Sequence, residues 1–83
     1  MSTIDYNKLR SFTARQLIRA LLQEGFYFAR QRGSHHRYQH ADGRRVTVPF
    51  TRVGDAFARG TLESIIERQA KWTEQDLQRL NIL

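Results

Sequence analysis

The stretch SHHRYQHADGRRVTVPF, residues 34–50, contains two runs of alternating side-chain character, separated by Ala41-Asp42-Gly43. Alternation of this kind predicts β-strands, because successive side chains of a strand point to opposite faces of a sheet. An Asp-Gly pair between two such runs is a strong signal for a tight hairpin turn. The sequence therefore predicts two antiparallel strands, over residues 34–40 and 44–50. Pro49 cannot donate to a β-ladder, so we expect it at a strand end or edge.

The flanking sequence supplies a third strand and the helices that would cover the sheet. A strand is predicted over residues 26–31, joined to the next by a turn at Arg32-Gly33. Before it, TARQLIRALLQEG has helical apolar spacing, with Thr13 as N-cap and Gly25 as a left-handed C-cap. After a loop over residues 51–60, a second helix is expected to start with Thr61 as cap, and a short third one at Thr73. The predicted fold class is α+β: a three-stranded antiparallel sheet with helices on one face.

The length of 83 residues suits one small domain with a modest core. We expect residues 1–12 to form a loosely ordered N-terminal extension, residues 13–72 the main domain, and residues 73–83 a short helix packed on it. The absence of cysteine excludes disulfides and thiolate metal sites. No secretory signal and no apolar run of membrane-spanning length is evident, so a cytoplasmic protein that does not enter membranes is expected.

Positive charge is concentrated in the middle of the chain. The net charge is +6, and residues 30–59 alone carry seven arginines against two aspartates. All three histidines, His35, His36 and His40, fall in the same segment. An arginine-rich patch is typical of a surface that binds a phosphate-bearing partner, above all a nucleic acid. A solvated basic surface, or one that binds an acidic protein, would have the same composition.

Strand alternation predicts which histidine faces outward. Val46 and Val48 must face the core, and Tyr38 is the best apolar candidate of its own strand. His36 and His40 lie in phase with Tyr38 and should share its face. The opposite, open face would then carry the polar residues of both strands: His35, Arg37, Gln39, Arg45 and Thr47.

Three interpretations of the histidine cluster compete. The residues can be ordinary surface or half-buried side chains, since clustered titratable groups also arise for structural reasons. A metal site is poorly supported, because adjacent histidines on a strand point to opposite faces. The third interpretation is acid–base catalysis on RNA, whose 2′-hydroxyl is an internal nucleophile. Imidazole exchanges protons near neutral pH, and neighbouring arginines would neutralise the phosphate.

The run GSHHRYQHADGRRVTVP (33–49), preceded by LIRALLQEGFYFARQR and followed by GTLESIIERQA, resembles the HicA family of toxin–antitoxin mRNA interferases. The resemblance covers residues 13 to about 70. It implies a fold like that of a double-stranded-RNA-binding domain and cleavage of mRNA without metal or other cofactor. It also implies a HicB-like antitoxin as protein partner, which would shield the catalytic histidine.

The resemblance places the catalytic role on His35, the histidine directly after Gly-Ser. Gly33 and Ser34 match the same motif: Gly33 would allow close approach of the backbone to a phosphate, and Ser34 would bind phosphate or orient the imidazole. Four arginines of the basic segment are predicted phosphate contacts: Arg32, Arg37, Arg44 and Arg45. Arg37 and Arg45 rank first among them, because they share the predicted face of His35.

Three functions remain open from the sequence. The first is a metal-independent endoribonuclease toxin that arrests translation and growth. The second is a non-catalytic RNA-binding domain on the same scaffold, and the third is a module whose arginines dock an antitoxin-like partner. Steep salt dependence of RNA binding would separate the first two from the third, because phosphate contacts weaken as salt rises.

Overall fold

The computed structural model describes residues 3–83 as one α+β unit. An initial 3-10 helix, Tyr6–Leu9, precedes three β-strands and three α-helices. The bounds are α1 Ala14–Glu24, β1 Tyr27–Arg32, β2 His35–Gln39, β3 Arg45–Pro49, α2 Arg59–Glu63 and α3 Glu74–Arg79, with α2 continuing into a π-helical segment, Ser64–Gln69. Within the described part of the chain, no helix has the length and apolar character needed to cross a membrane.

Local sequence signals fix both ends of α1. The Thr13 hydroxyl accepts a hydrogen bond from the Gln16 amide, and the Gln16 side chain accepts one from the Thr13 amide in return. This reciprocal capping box satisfies amides that the first helical turn leaves without partners. Gly25 ends the helix at φ 105°, a left-handed conformation that favours glycine. Both predicted caps are confirmed.

The sheet is antiparallel with the order β1-β2-β3, so β2 is its central strand. Each predicted strand end differs from the observed one by a single residue. A two-residue turn at Gly33-Ser34 connects β1 to β2, with Gly33 at φ 59°. The pairing of β1 with β2 shifts between Phe28 and Arg30, which leaves Ala29 as a β-bulge.

One face of the sheet is covered by helices, as predicted. Tyr38, Val46 and Val48 project from it into the core. The helices supply the facing layer with fully buried aliphatic side chains: Leu17, Leu21, Ile65, Ile66 and Leu77. The expected α+β class and element order are therefore confirmed.

The second helix begins earlier than the sequence suggested. Its N-cap is Ala58, which makes no side-chain capping bond, so the prediction of Thr61 as cap is wrong. The helix then widens, and the amide of Ala70 donates to the carbonyl of Ile65 at 2.8 Å, a five-residue spacing. The widened turn places the Gln69 side chain against β3, where its Oε1 accepts from the Thr47 amide at 2.8 Å. The outer edge of β3 is thereby partly paired.

The N-terminal segment belongs to the core, and the expectation of a loosely ordered extension is wrong for residues 3–12. Four of its side chains are buried: Ile4, Tyr6, Leu9 and Phe12. The Tyr6 hydroxyl also donates a hydrogen bond to Glu67 of the π-helical segment. Apolar residues spaced by two or three positions in a short segment do not match a helical or strand period, which is why the sequence pattern missed them.

Glu24, the last residue of α1, connects α1 to the C-terminal part of the chain. Its carboxylate pairs with Arg79 of α3, at 2.9 Å between Oε1 and Nη1, and accepts a hydrogen bond from Trp72 Nε1 at 3.3 Å. The hydrogen bond from Arg79 holds the pKa of Glu24 below its ordinary value of 4.5, against the opposing effect of burial. Residues 73–83 are thus bound to the domain, and α3 begins after Thr73 with a Thr73–Asp76 capping box.

Replacement of Leu9 by alanine tests whether the N-terminal segment is part of the folded core. Leu9 is 3% exposed, and truncation of such a leucine costs about 2 to 5 kcal/mol of unfolding free energy. Urea unfolding of Leu9→Ala should show this loss, while Lys8→Ala, at an exposed neighbour, should unfold as the wild type does. Equal stability of both variants would contradict the assignment.

Replacement of Glu24 by glutamine tests the link between α1 and α3. The wild type should be more stable than Glu24→Gln by about 1 to 2 kcal/mol at neutral pH. Because the folded-state pKa of Glu24 lies below 4.5, this advantage should persist above pH 4.5 and disappear as the pH falls through the folded value. Urea unfolding of both proteins over that range measures the difference. A difference independent of pH would exclude a contribution from the carboxylate charge.

Candidate active site

The open face of the sheet carries three rows of paired residues. The rows, read from β1 through β2 to β3, are Arg32–His35–Pro49, Arg30–Arg37–Thr47 and Tyr27–Gln39–Arg45. These nine positions include four arginines and no carboxylate. The predicted phase of β2 and β3 is confirmed: the residues expected on the open face lie there, and Tyr38, Val46 and Val48 lie beneath.

His35 is the exposed histidine of this face. It is the first residue of β2, directly after the Gly33-Ser34 turn, and within residues 3–83 its ring makes no hydrogen bond or aromatic contact. It borders an open recess of about 330 Å³, whose other lining residues are Arg30, Arg32, Arg37 and Thr47. An imidazole without protein partners, bordered by guanidinium groups, is accessible to a negatively charged ligand.

His36 points to the opposite face and has a packing role. Its ring stacks on Phe50 with 3.8 Å between centroids. Its Nδ1 lies 3.1 Å from the Ser34 carbonyl oxygen and 3.3 Å from that of Val48. Because both partners only accept hydrogen bonds, Nδ1 carries the proton, and the ring ties the turn before His35 to β3.

His40 joins the hairpin to the end of α1. Its Nε2 donates to the Glu24 carbonyl at 3.1 Å, and its Nδ1 accepts from the Asp42 amide at 3.1 Å. A proton on Nε2, with Nδ1 as acceptor, satisfies both bonds, and Nδ1 also lies 3.1 Å from Asp42 Oδ1. The ring also meets Phe26 edge-on, with centroids 5.0 Å apart. Among residues 3–83, only His35 of the three histidines has both ring nitrogens free of protein partners, because His36 Nδ1 and both nitrogens of His40 are hydrogen-bonded.

Arg44 differs from the other predicted arginines because its guanidinium is used inside the protein. Nε donates to Asp42 at 2.8 Å, and Nη1 donates to the Ala70 carbonyl at 2.7 Å. The group also lies over the Phe26 ring, 4.9 Å from its centroid. The amide and guanidinium of Arg44 in turn hold the pKa of Asp42 below its ordinary value. Whether Arg44 also contacts RNA stays a prediction; its visible role is to fasten the hairpin.

The remaining predicted residues lie around His35 at different distances. Arg32 and Arg37 line the same recess as His35, and Arg45 lies farther along the open face, beside Gln39. Gly33 has a φ of 59°, and a β-carbon added there would meet no other atom. A substitution of Gly33 would therefore strain the backbone but would not cause a steric clash. The Ser34 carbonyl accepts from the Phe50 amide at 3.0 Å, which fixes the turn and leaves the exposed hydroxyl free of a protein partner among residues 3–83.

Two residues of the open face were missed from the sequence. Arg30 alternates with Arg32 along β1, so once the register is known it joins the recess. The two-residue spacing of Arg30 and Arg32 in the sequence already indicates that both side chains lie on one face of the strand. Tyr27 lies on the same face only because the bulge at Ala29 reverses the alternation. Simple alternation from Arg30 would have placed Tyr27 on the covered face.

Comparison with known proteins places these features in a family. A family model described as HicA toxin of bacterial toxin–antitoxin matches residues 14–72. The match runs from the start of α1 to Trp72 and includes the whole sheet with His35. No curated protein matched the chain. Within residues 3–83, no three His, Asp or Glu side chains are grouped as metal ligands would be.

Proposed function

The chain belongs to the HicA toxin family of bacterial toxin–antitoxin systems, and on that premise we propose that it is an mRNA interferase. It would cut mRNA as a metal-independent endoribonuclease in the cytoplasm and so arrest translation and growth. The observation that carries the proposal is the position of His35. It is an exposed imidazole without protein partners, bordered by Arg30, Arg32 and Arg37 on an open sheet face.

The proposed reaction uses the nucleophile that RNA itself contains. The 2′-hydroxyl attacks the adjacent phosphorus, the bond from phosphorus to the 5′-oxygen breaks, and a 2′,3′-cyclic phosphate and a 5′-hydroxyl end result. His35 would take the proton of the 2′-hydroxyl while water protonates the leaving 5′-oxygen, or it would protonate the 5′-oxygen while water accepts the proton of the 2′-hydroxyl. Because one acid–base group contributes about 10²- to 10⁴-fold, we expect slow cleavage.

The arginines of the open face would bind and neutralise the phosphodiester. Arg32 and Arg37 flank His35 in the recess, and neither guanidinium has a carboxylate partner within residues 3–83. Guanidinium donors aimed at a phosphate stabilise the charge that accumulates in the transition state. Arg45 lies one row beyond Arg37 and would contact a neighbouring phosphate of the strand.

The partner that restrains the toxin is proposed to be a HicB-like antitoxin. A family of toxin–antitoxin toxins implies a protein partner. The antitoxin would inhibit the toxin by binding to the open face, because a protein that covers His35 would also exclude RNA. The four arginines without carboxylates on that face favour an acidic contact surface on the antitoxin.

Cleavage of a mixed-sequence single-stranded RNA in excess EDTA tests the catalytic assignment. The wild type should cut and leave 5′-hydroxyl and 2′,3′-cyclic phosphate ends, whereas His35→Ala should lose about 10²-fold or more in rate. A substrate with 2′-deoxy nucleotides should resist both proteins, because it lacks the nucleophile. Gel analysis of labelled RNA measures the rates.

His36→Gln is the matched control for the cleavage experiment. A glutamine amide can still donate to the Ser34 carbonyl, so this variant should fold, as circular dichroism would verify, and should retain cleavage. Equal activity of the wild type and His35→Ala would refute the catalytic role. Binding of RNA by both without cleavage would favour the non-catalytic RNA-binding alternative, whereas absence of both cleavage and RNA binding would favour an antitoxin-docking domain.

Replacement of Arg37 by glutamine tests the phosphate contact. The variant should bind RNA more weakly, and the slope of log affinity against log salt should fall by about 0.7, the value for one phosphate contact on a single strand. Arg15→Gln, at an exposed position of α1 away from the sheet, should leave the slope unchanged. Filter binding at several salt concentrations provides the slopes. An unchanged slope for Arg37→Gln would remove this residue from the interface.

A further inference from the structure

Tyr27 is an exposed aromatic residue on the same sheet face as His35. It is 52% exposed, and it pairs with Gln39, two positions beyond Arg37 along β2. At about 3.4 Å per residue, the row of Tyr27 lies about 14 Å from the row of His35. This half-exposed ring on a basic, otherwise polar surface lies outside the apolar core.

We propose that Tyr27, together with Gln39, forms a base-stacking subsite for an unpaired base of single-stranded RNA, a few nucleotides from the phosphate at His35. This inference rests on the proposed function, which it extends from the scissile phosphate to the bases. Successive bases of single strands stack on exposed aromatic rings in grooves lined by positive charge. Open antiparallel sheets that carry aromatic rings recognise RNA in this way.

The geometry of the Tyr27–Gln39–Arg45 row suits the stacking of a base on the Tyr27 ring. The Tyr27 hydroxyl donates to Gln39 Oε1 at 3.3 Å, so the ring is held by its outer end as well as by its backbone. The NH₂ group of Gln39 has no partner within residues 3–83 and can donate to the edge of a stacked base. Arg45 completes the row on β3, where it can neutralise the phosphate of the same nucleotide.

The charge of the open face and the accessibility of bases indicate which ligand binds at Tyr27. The open face has four arginines and no carboxylate, which fits a polyanion. Bases inside a duplex are stacked on each other and present only their edges in the grooves, so a flat ring on a sheet stacks on an unpaired base and not on the interior of a duplex. Single-stranded RNA therefore matches both properties of the face, whereas duplex RNA matches only the charge.

Phe28 provides a matched control within the chain. It is adjacent to Tyr27 and equally exposed, at 52%, but it lies on the other side of the sheet, edge-on to Tyr38 with centroids 5.7 Å apart. Loss of either ring removes a similar exposed apolar area. Only the loss of Tyr27 removes a ring from the face of His35.

The test measures binding of a labelled single-stranded 2′-O-methyl oligoribonucleotide, which lacks the nucleophile and cannot be cut by the proposed reaction. Fluorescence anisotropy should show that Tyr27→Ala weakens binding about 5- to 100-fold, the range for loss of one stacked base. Phe28→Ala should bind like the wild type, and Tyr27→Phe, which keeps the ring but loses the hydroxyl bond to Gln39, should bind more tightly than Tyr27→Ala. The salt slope of Tyr27→Ala should equal that of the wild type, because stacking involves no phosphate.

Two further ligands separate stacking from a general loss of structure. The same oligonucleotide in duplex form, and a single strand without bases, should bind Tyr27→Ala and the wild type equally. The proposal is overturned if Tyr27→Ala binds the single strand as the wild type does. It is also overturned if the loss is equal on all three ligands or is shared by Phe28→Ala.

The outcomes for the subsite and for the proposed function are distinguishable. Absence of cleavage of ordinary RNA by the wild type would refute the nuclease and leave the binding result to stand by itself. Cleavage that depends on His35, combined with normal oligonucleotide binding by Tyr27→Ala, would refute only the stacking subsite.

Discussion

The burial of Val46 and Val48 beneath the sheet is the constraint on which the site depends. Both side chains are fully buried, and their positions on β3 fix which side of the sheet faces the helices. The β2–β3 register then fixes the phase of the central strand, with Tyr38 inward and His35 and Arg37 outward. A slip of one residue would exchange the two faces and bury the arginines, at a cost that no small core can offset. The chemistry of the open face is thus secured by apolar packing on the other side.

The arginines of the basic segment divide into two groups by their partners. Arg44 is held by Asp42 and the Ala70 carbonyl, and its Nη2 also lies 3.7 Å from Glu24. Together with His40, it fastens the β2–β3 hairpin to α1 and to the C-terminal part of the chain. Arg30, Arg32 and Arg37 have no such partners among residues 3–83. The guanidinium of Arg44 therefore stabilises the fold, whereas those of Arg30, Arg32 and Arg37 remain available to a ligand.

Much of this arrangement can be predicted from the sequence, because strand alternation, helix caps and the Asp-Gly turn are local signals. They gave three strands, α1 with both caps, and the outward position of His35. The rest depends on contacts between distant residues. The start of α2 after Ala58 and the burial of Leu9 depend on tertiary packing, which leaves no periodic pattern in the local sequence. The bulge at Ala29 is one inserted residue, yet it decides the face of Tyr27. The partners of Arg44 are likewise visible only once α1, the hairpin and the π-helical segment are brought together.

The turn before His35 has a consequence for the entropy of the proposed reaction. The Ser34 carbonyl is bonded both to the Phe50 amide and to the His36 ring, and β2 is paired on both sides at His35. The backbone of His35 is therefore ordered before any ligand arrives, and only the two side-chain torsions of the imidazole remain to be restricted. Fixing the backbone of one residue costs about 1 to 2 kcal/mol in conformational entropy. For His35 this loss occurs during folding and not when a ligand binds. For the proposed proton transfer, the sheet alone would thus align His35, without a closing loop or a second domain.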